Sequence, residues 1–297
     1  MIEVRLFGPT VVLVDGVALA PAELGGVKPR QILEMLAVEV GAPVSKDRLA
    51  DRLWENNPPA SYVATLESYV CVLRRRLGAG RGKQSPLTTT HNGYQLDPER
   101  TRVDLEDFRT LMTSAAEGPE ASVIPDAERA LAMMTGELLA DEPYATWALR
   151  ERESLSELVA AGCTRAAVLA NRAGGHDRAV RFARIAADQG FFSETAWQEL
   201  MRALWSSGRR AEALRAYADL RAGMLDELGI EPGPASQRLY MTVLRGSASG
   251  HGPTQERHEV RTLLRLLRQA LEAGSGMDVA TEPGLSEVAR VLLRHPA

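Results

Sequence analysis

The sequence predicts a mainly helical protein with a small β component, built as a short mixed head followed by a long run of helices. Three observations carry that prediction. Ala, Leu, Arg and Glu dominate while aromatic residues make up only 5%, a mixture that favours helices. Runs rich in β-branched residues are confined to the first twenty positions and to 87–96. From about Val103 to Arg245 apolar residues recur at helical spacing, with Gly and Pro as the punctuation.

The chain has 297 residues, 45% of them hydrophobic and 25% charged, which fits a folded chain of two ordinary domains rather than a disordered one. No apolar run approaches the roughly 20 residues of a membrane span. MIEVRLFGP lacks the basic start and apolar core of a signal peptide. Cys71 and Cys163 lie far apart in helical patterns, so a reduced, cytoplasmic protein without a disulfide framework is expected. The net charge is −4, unevenly spread: +1 over residues 1–100 and −5 over the remainder. Within 61–96, Arg74, Arg75, Arg76, Arg81 and Lys83 face one acid, Glu67. Any binding of an anionic polymer is therefore expected to be local.

Taken in order, IEVRLFG and TVVLV read as strands, and the Asp-Gly of VDGVA suits a tight hairpin. The run 28–40 is helical, with Ile32, Leu33, Leu36, Ala37 and Val40 on one face and Gly41-Ala-Pro43 closing it. Ser45 is a good N-cap for a second helix that carries Leu49, Leu53 and Trp54 and stops before Asn56-Asn-Pro-Pro59. A third helix runs from about Ala60 to Leu77, closed by Gly78. GAGRGKQSP (78–86) reads as a loop, and LTTTHNGYQL (87–96) as a hairpin turning at Asn92-Gly93. Strands, three helices and a closing hairpin make a winged helix-turn-helix over 1–100, with 87–96 as the wing.

At 100° per residue, Leu66, Val70, Leu73 and Leu77 of the third helix form the buried stripe. Ser61, Ala64, Thr65, Ser68, Val72 and Arg75 then point broadly outward, with Glu67 and Arg74 on one flank and Tyr69 and Arg76 on the other. Small and polar residues in the N-terminal half permit close approach to base edges in a major groove, and arginines at the C-terminal end suit phosphates. A solvated helix end would also carry Arg, favoured there by the helix dipole. The argument rests on the whole constellation of third helix, Gly cap, basic loop and Thr-rich wing.

The second part, 101–246, is expected to break at Gly118-Pro119, Pro125, Pro143, Gly174-Gly175, Gly190, Gly208 and Gly229–Gly233. GHDRAVRFA (175–183) and GRRAEALRAYA (208–218) align with Ala179 on Ala213 and Val180 on Leu214, an offset of 34 residues. That is the tetratricopeptide period, built from paired helices, and Trp197, Leu204 and Tyr217 add apolar positions to it. Beyond a linker at 246–254, an amphipathic helix (255–274) and a shorter apolar pattern (285–293) make a C-terminal tail, 247–297. These are expected either to dock on the helical part or to serve self-association.

Chemistry finds little support. GAGRGKQ fails the phosphate-loop spacing, because Leu77 and Gln84 stand where Gly and Ser/Thr are required. His91, His176, His251, His258 and His295 show no metal-ligand spacing, and no nucleophile signature is apparent. No enzyme activity, metal or cofactor is expected.

The order of elements resembles the Streptomyces antibiotic regulatory proteins, activators that join an OmpR-type winged helix to a bacterial transcriptional activator domain. The matching stretches are VRLFGPTVV, KPRQILEML, VSKDRLADRLW, TLESYVCVLRRRLG and NGYQL, then VDLEDFRTL and AYADLRAGMLDELGIEPGPASQRLYMTVLRG, spanning about 1–246. The resemblance implies sequence-specific binding to direct repeats upstream of promoters, side by side, with recruitment of RNA polymerase and control of antibiotic or other secondary-metabolite genes. It implies that Thr65, Glu67, Ser68 and Tyr69 face bases or nearby phosphates, that Arg74 and Arg75 hold the backbone, and that Thr90, His91 and Asn92 act at the wing. Ser61, Arg76, Lys46 and Lys83 complete the expected DNA-binding set. Cys71-Val72 departs from the family pattern, in which an arginine often precedes Leu-Arg, so specificity is expected to rest on Thr65 to Tyr69 and the wing. A ligand- or partner-gated regulator, with the helical repeats as main interaction surface, is the alternative. A helical scaffold without DNA would leave the basic 61–96 region idle.

Overall fold

The computed structural model describes residues 1–78, 85–190 and 192–246. Most of the basic loop, Lys83 included, and the two tail helices expected at 255–274 and 285–293 lie outside the described residues. Met1–Gly246 form one compact unit.

The head opens with β1 (Ile2–Arg5), β2 (Val11–Val14) and β3 (Val17–Ala18). Asp15 and Gly16 both take positive φ, 48° and 83°, the two-residue turn that matches the twist of a hairpin. The sheet order is β3-β2-β1-β7, and β7 (Thr101–Val103) pairs parallel to β1. A 3₁₀ turn (Pro21–Leu24) leads into α1 (Val27–Val38), whose Ile32, Leu33, Leu36 and Ala37 are all buried as the spacing predicts. β4 (Val44–Ser45) precedes α2 (Lys46–Leu53), where the Ser45 hydroxyl accepts from the Arg48 N–H at 3.1 Å, satisfying a donor of the first turn. Then come α3 (Tyr62–Arg76) and the hairpin β5 (Leu87–Thr89) and β6 (Gly93–Leu96), in a second sheet of order β4-β6-β5.

β7 runs directly into the helical part: α4 (Asp104–Glu117), α5 (Glu120–Met133), α6 (Thr146–Arg172), α7 (His176–Gln189), α8 (Glu194–Ser206), α9 (Arg210–Leu228) and α10 (Pro234–Arg245). The fold is thus a winged helix-turn-helix followed by helical repeats. Ala179 of α7 and Ala213 of α9 are both fully buried, and the small side chain lets neighbouring helices approach closely. Val180 is buried too, while Leu214 is half-buried and packs on the core.

One expected break is absent. α5 runs straight through Pro125. Pro125, sixth in the helix, forfeits the bond to the Ala121 carbonyl and its ring crowds that turn. Val123, Ala127 and Ala130, spaced on one buried face across it, keep the helix seated.

The two parts are joined by backbone as well as side chains. Leu139 N–H donates to the Leu6 carbonyl at 2.8 Å, and Gly8 N–H to the Glu137 carbonyl at 2.9 Å. The Asp104 carboxylate at the start of α4 accepts from the Leu6 N–H at 2.8 Å and the Phe7 N–H at 3.3 Å. Beside this seam lies a charged cluster that the sequence reading missed. Arg30 of α1 reaches Glu34 at 3.2 Å and Glu142 at 2.8 Å, Gln31 donates to Glu142 at 2.6 Å, and the Thr10 hydroxyl donates to Glu34 at 2.6 Å. Glu34 is fully buried. Its only signal in the sequence is one acid inside the apolar run ILEML.

Candidate nucleic-acid interface

α3 sits where its apolar stripe dictates. Leu66, Val70, Leu73 and, just past its end, Leu77 are all buried, which turns the opposite face outward. Ser61, Ala64, Glu67, Ser68, Cys71, Arg75 and Arg76 are exposed, and Thr65 and Tyr69 half-buried. Ser61 stands at the helix start, where its carbonyl accepts from the Thr65 N–H at 3.1 Å and the Thr65 hydroxyl at 3.2 Å. The Tyr62 hydroxyl donates to Asp47 at 2.6 Å, tying the start of α3 to α2. That burdened hydroxyl resists ionisation, chiefly through this hydrogen bond. Arg75 and Arg76 have no hydrogen-bond or ion-pair partner among the described residues.

Val72 does not point freely outward. It is half-buried, and a Cβ added at Gly25 would lie 2.4 Å from its Cγ1. The chain between the 3₁₀ turn and α1 therefore packs over α3 at Val72, while Cys71, Arg75 and Arg76 around it stay exposed. Position 72 packs against backbone, and an apolar β-branched side chain suits it for that reason.

The wing also departs from expectation. Its turn is not Asn92-Gly93. Thr90 N–H donates to the Gly93 carbonyl at 3.0 Å, so the exposed tip is His91-Asn92 and Gly93 already belongs to β6. Gly93 pairs with Ser45 across the second sheet, and a Cβ there would sit 1.9 Å from the Val44 carbonyl oxygen. Glycine is required by close strand approach, not by turn geometry.

Four of the expected DNA-binding side chains are engaged within the protein: Thr65, through its hydroxyl bond to the Ser61 carbonyl, Arg74, Lys46 and Glu67. Arg74 donates from Nε to the Leu87 carbonyl at 3.0 Å and from Nη2 to the Thr89 hydroxyl at 2.7 Å. Lys46 Nζ lies 2.7 Å from Glu67 Oε1. Both cations flank the buried Tyr94 ring, Lys46 Nζ at 5.8 Å and the Arg74 guanidinium at 6.0 Å from its centroid. The hydrogen bond to Glu67 holds the Lys46 ammonium above its ordinary range, and burial pushes the Tyr94 phenol up. The structure brings together Ser61, Thr65, Ser68, Arg75 and Arg76 on α3, with Thr90, His91 and Asn92 at the wing. Lys83 lies outside the described residues.

Among the described residues no helix is long and apolar enough to cross a membrane, and no group of His, Cys, Asp or Glu is arranged to hold a metal ion. Cys71 and Cys163 are both free thiols; burial pushes the Cys163 thiol up to about 12.

A third helix with an exposed outer face beside a hairpin with an exposed tip, carried on helical repeats, defines a winged-helix transcriptional regulator. Residues 24–96 match the family model described as transcriptional regulatory protein, C terminal, and residues 103–244 match the bacterial transcriptional activator domain. Through these two domains the chain is homologous to regulators of the Streptomyces antibiotic regulatory protein family. It is 29% identical to the regulatory protein DnrI of Streptomyces peucetius, over 82% of this chain and 92% of that protein. It is 31% identical to the transcriptional regulatory protein EmbR of Mycobacterium tuberculosis, over 82% of this chain but only 63% of EmbR's length. The solved structure of Mycobacterium tuberculosis EmbR in complex with low affinity phosphopeptide matches with a TM-score of 0.68 at 26% identity, covering 90% of this chain and 71% of that one. These relatives are named as regulators, not enzymes.

Proposed function

We propose that this protein is a sequence-specific DNA-binding activator that binds direct repeats upstream of promoters and recruits RNA polymerase. In this reading residues 1–100 bind DNA, 101–246 form the activator part with self-association on adjacent repeats, and 247–297 are an appended tail. The protein works in the cytoplasm without a cofactor, and the genes it controls belong to a secondary-metabolite cluster. α3 enters the major groove with Ser61, Thr65, Ser68 and Tyr69 toward the bases, and the tip Thr90-His91-Asn92 lies in the adjacent minor groove.

The observation that carries the reading is the pairing of unengaged charge with small polar surface on one helix. Among the described residues Arg75 and Arg76 are exposed without partners at the end of α3, while Ser61, Ala64 and Ser68 leave its other end unobstructed. Cations free of internal partners can exchange counterions for phosphates, whereas paired ones gain less. The experiment is a gel shift with the native upstream DNA across a salt titration. Expected are preference over random duplex and a linear fall of log affinity with log salt. Binding that ignores salt, or shows no preference, would overturn the reading.

A further inference from the structure

We propose that Arg74 is a positioning residue: it locks the wing against α3 and so sets the spacing of the two DNA-reading elements, and it does not itself hold a phosphate. This rests on the DNA-binding reading above and reassigns one residue within it.

Arg74 and Glu67 stand seven residues apart, two turns of α3, so they share one flank about 10 Å apart along the axis. That flank faces the wing at both points. At the C-terminal point the guanidinium fork meets two acceptors two residues apart on β5, the Leu87 carbonyl and the Thr89 hydroxyl. β5 is an edge strand of its sheet, so Arg74 ties down a strand with a neighbour on only one side. At the N-terminal point Glu67 holds Lys46, whose backbone N–H donates to the Asn92 carbonyl at the wing tip at 2.9 Å. Tyr94 of β6, 2% exposed, fills the space between the two cations. The wing is thus braced at two places to the helix it accompanies. With Nε and one Nη2 N–H engaged on the wing, the brace fixes the orientation of the guanidinium, and only its remaining edge, Nη1, could meet a phosphate. Arg75, the next residue, has no such engagement and faces outward.

The test compares Arg74→Lys, Arg74→Met and Arg75→Ala in the full chain, using a labelled native upstream duplex and a labelled random-sequence duplex. Lysine keeps the charge but cannot bridge two acceptors as a planar fork does. The tip residues Thr90, His91 and Asn92 include no Lys or Arg, so loosening the wing removes few counterion-releasing contacts. Both Arg74 variants are therefore expected to weaken binding of the native duplex about tenfold with the salt slope unchanged, one or two charge-assisted hydrogen bonds' worth. Without DNA, amide exchange at Thr90, whose N–H closes the wing turn, is expected to quicken in both. Arg75→Ala should instead lower the salt slope by about 0.9 and leave Thr90 exchange as in the wild type. The proposal is overturned if Arg74→Lys binds like the wild type while Arg74→Met loses a slope of about 0.9 with Thr90 exchange unaltered. If the wild type binds neither duplex, the DNA reading fails, and Thr90 exchange still decides the brace. Should Arg74→Met not fold, Arg74→Lys decides alone.

Discussion

Position 25 shows how one missing side chain shapes the candidate interface. Gly25 has φ +90°, and an added Cβ would fall 2.4 Å from Val72 Cγ1. Two separate penalties would follow from Gly25→Ala, left-handed backbone strain and overpacking against α3. Together they are expected to lower stability by about 2–4 kcal/mol, read by chemical denaturation. Adding Val72→Ala should restore the overpacking share and leave the strain. No recovery in that double variant would mean that Val72 is not what Gly25 accommodates. The same contact reframes the missing arginine at 72: this position lies under the chain entering α1, so an arginine here would have to displace that cover to reach DNA.

At the scale of elements, periodicity was a reliable guide wherever a single face is buried. α3 lies with its apolar stripe inward, whereas α1 is buried all round over Ile32–Val38, more than its predicted face. The 34-residue offset placed Ala179 and Ala213 at buried sites. Ala213→Trp should force apart helices that meet at a position with no accessible surface, costing about 3 kcal/mol. A thermal melt coincident with the wild type would show that α9 does not pack through this residue. Element ends and interruptions were read less well. Pro125 and Asn92-Gly93 are both strong punctuation in sequence, yet α5 continues through the first and β6 starts at the second. In each case tertiary neighbours override local preference: the buried face of α5, and the Val44 carbonyl against Gly93.

Across the whole molecule, the head and the helices share a seam flanked by a charged cluster. Burial pushes the Glu34 carboxyl up to about 7, with Glu142 and Asp141 adding to the rise and the Thr10 hydroxyl and Arg30 opposing it. Between the ordinary carboxylate range and about pH 7 the folded chain keeps a proton that the unfolded chain has released. Its contribution to stability therefore falls as pH rises through that window and levels off above it. Glu34→Gln should flatten this dependence, measured as the change in Tm between about pH 5 and about pH 8. An undiminished fall in the variant would place the titration on another group. Because Arg30 and Gln31 belong to α1 while Asp141 and Glu142 belong to the segment before α6, this cluster links the DNA-binding head to the helical part within one compact unit.

The sequence by itself determined the order of the three head helices and the wing, the buried stripe of α3 and the repeat, because each is written in local spacing that the chain cannot alter by folding. The short strands β4 and β7 carry no such spacing, and the family showed as a resemblance of motifs. Only the tertiary structure decided which cations remain available. Arg74, Arg75 and Arg76 are indistinguishable as a run of letters. A turn of 100° between successive residues aims one at the wing and leaves the next in solvent, and only the position of β5 reveals which is which. Glu34 is the same lesson in the core: the acid is visible in ILEML and Arg30 stands one turn before it. But the Thr10 hydroxyl that donates to it and the Glu142 carboxylate that opposes its ionisation lie 24 positions before and 108 after, and no local pattern records those two.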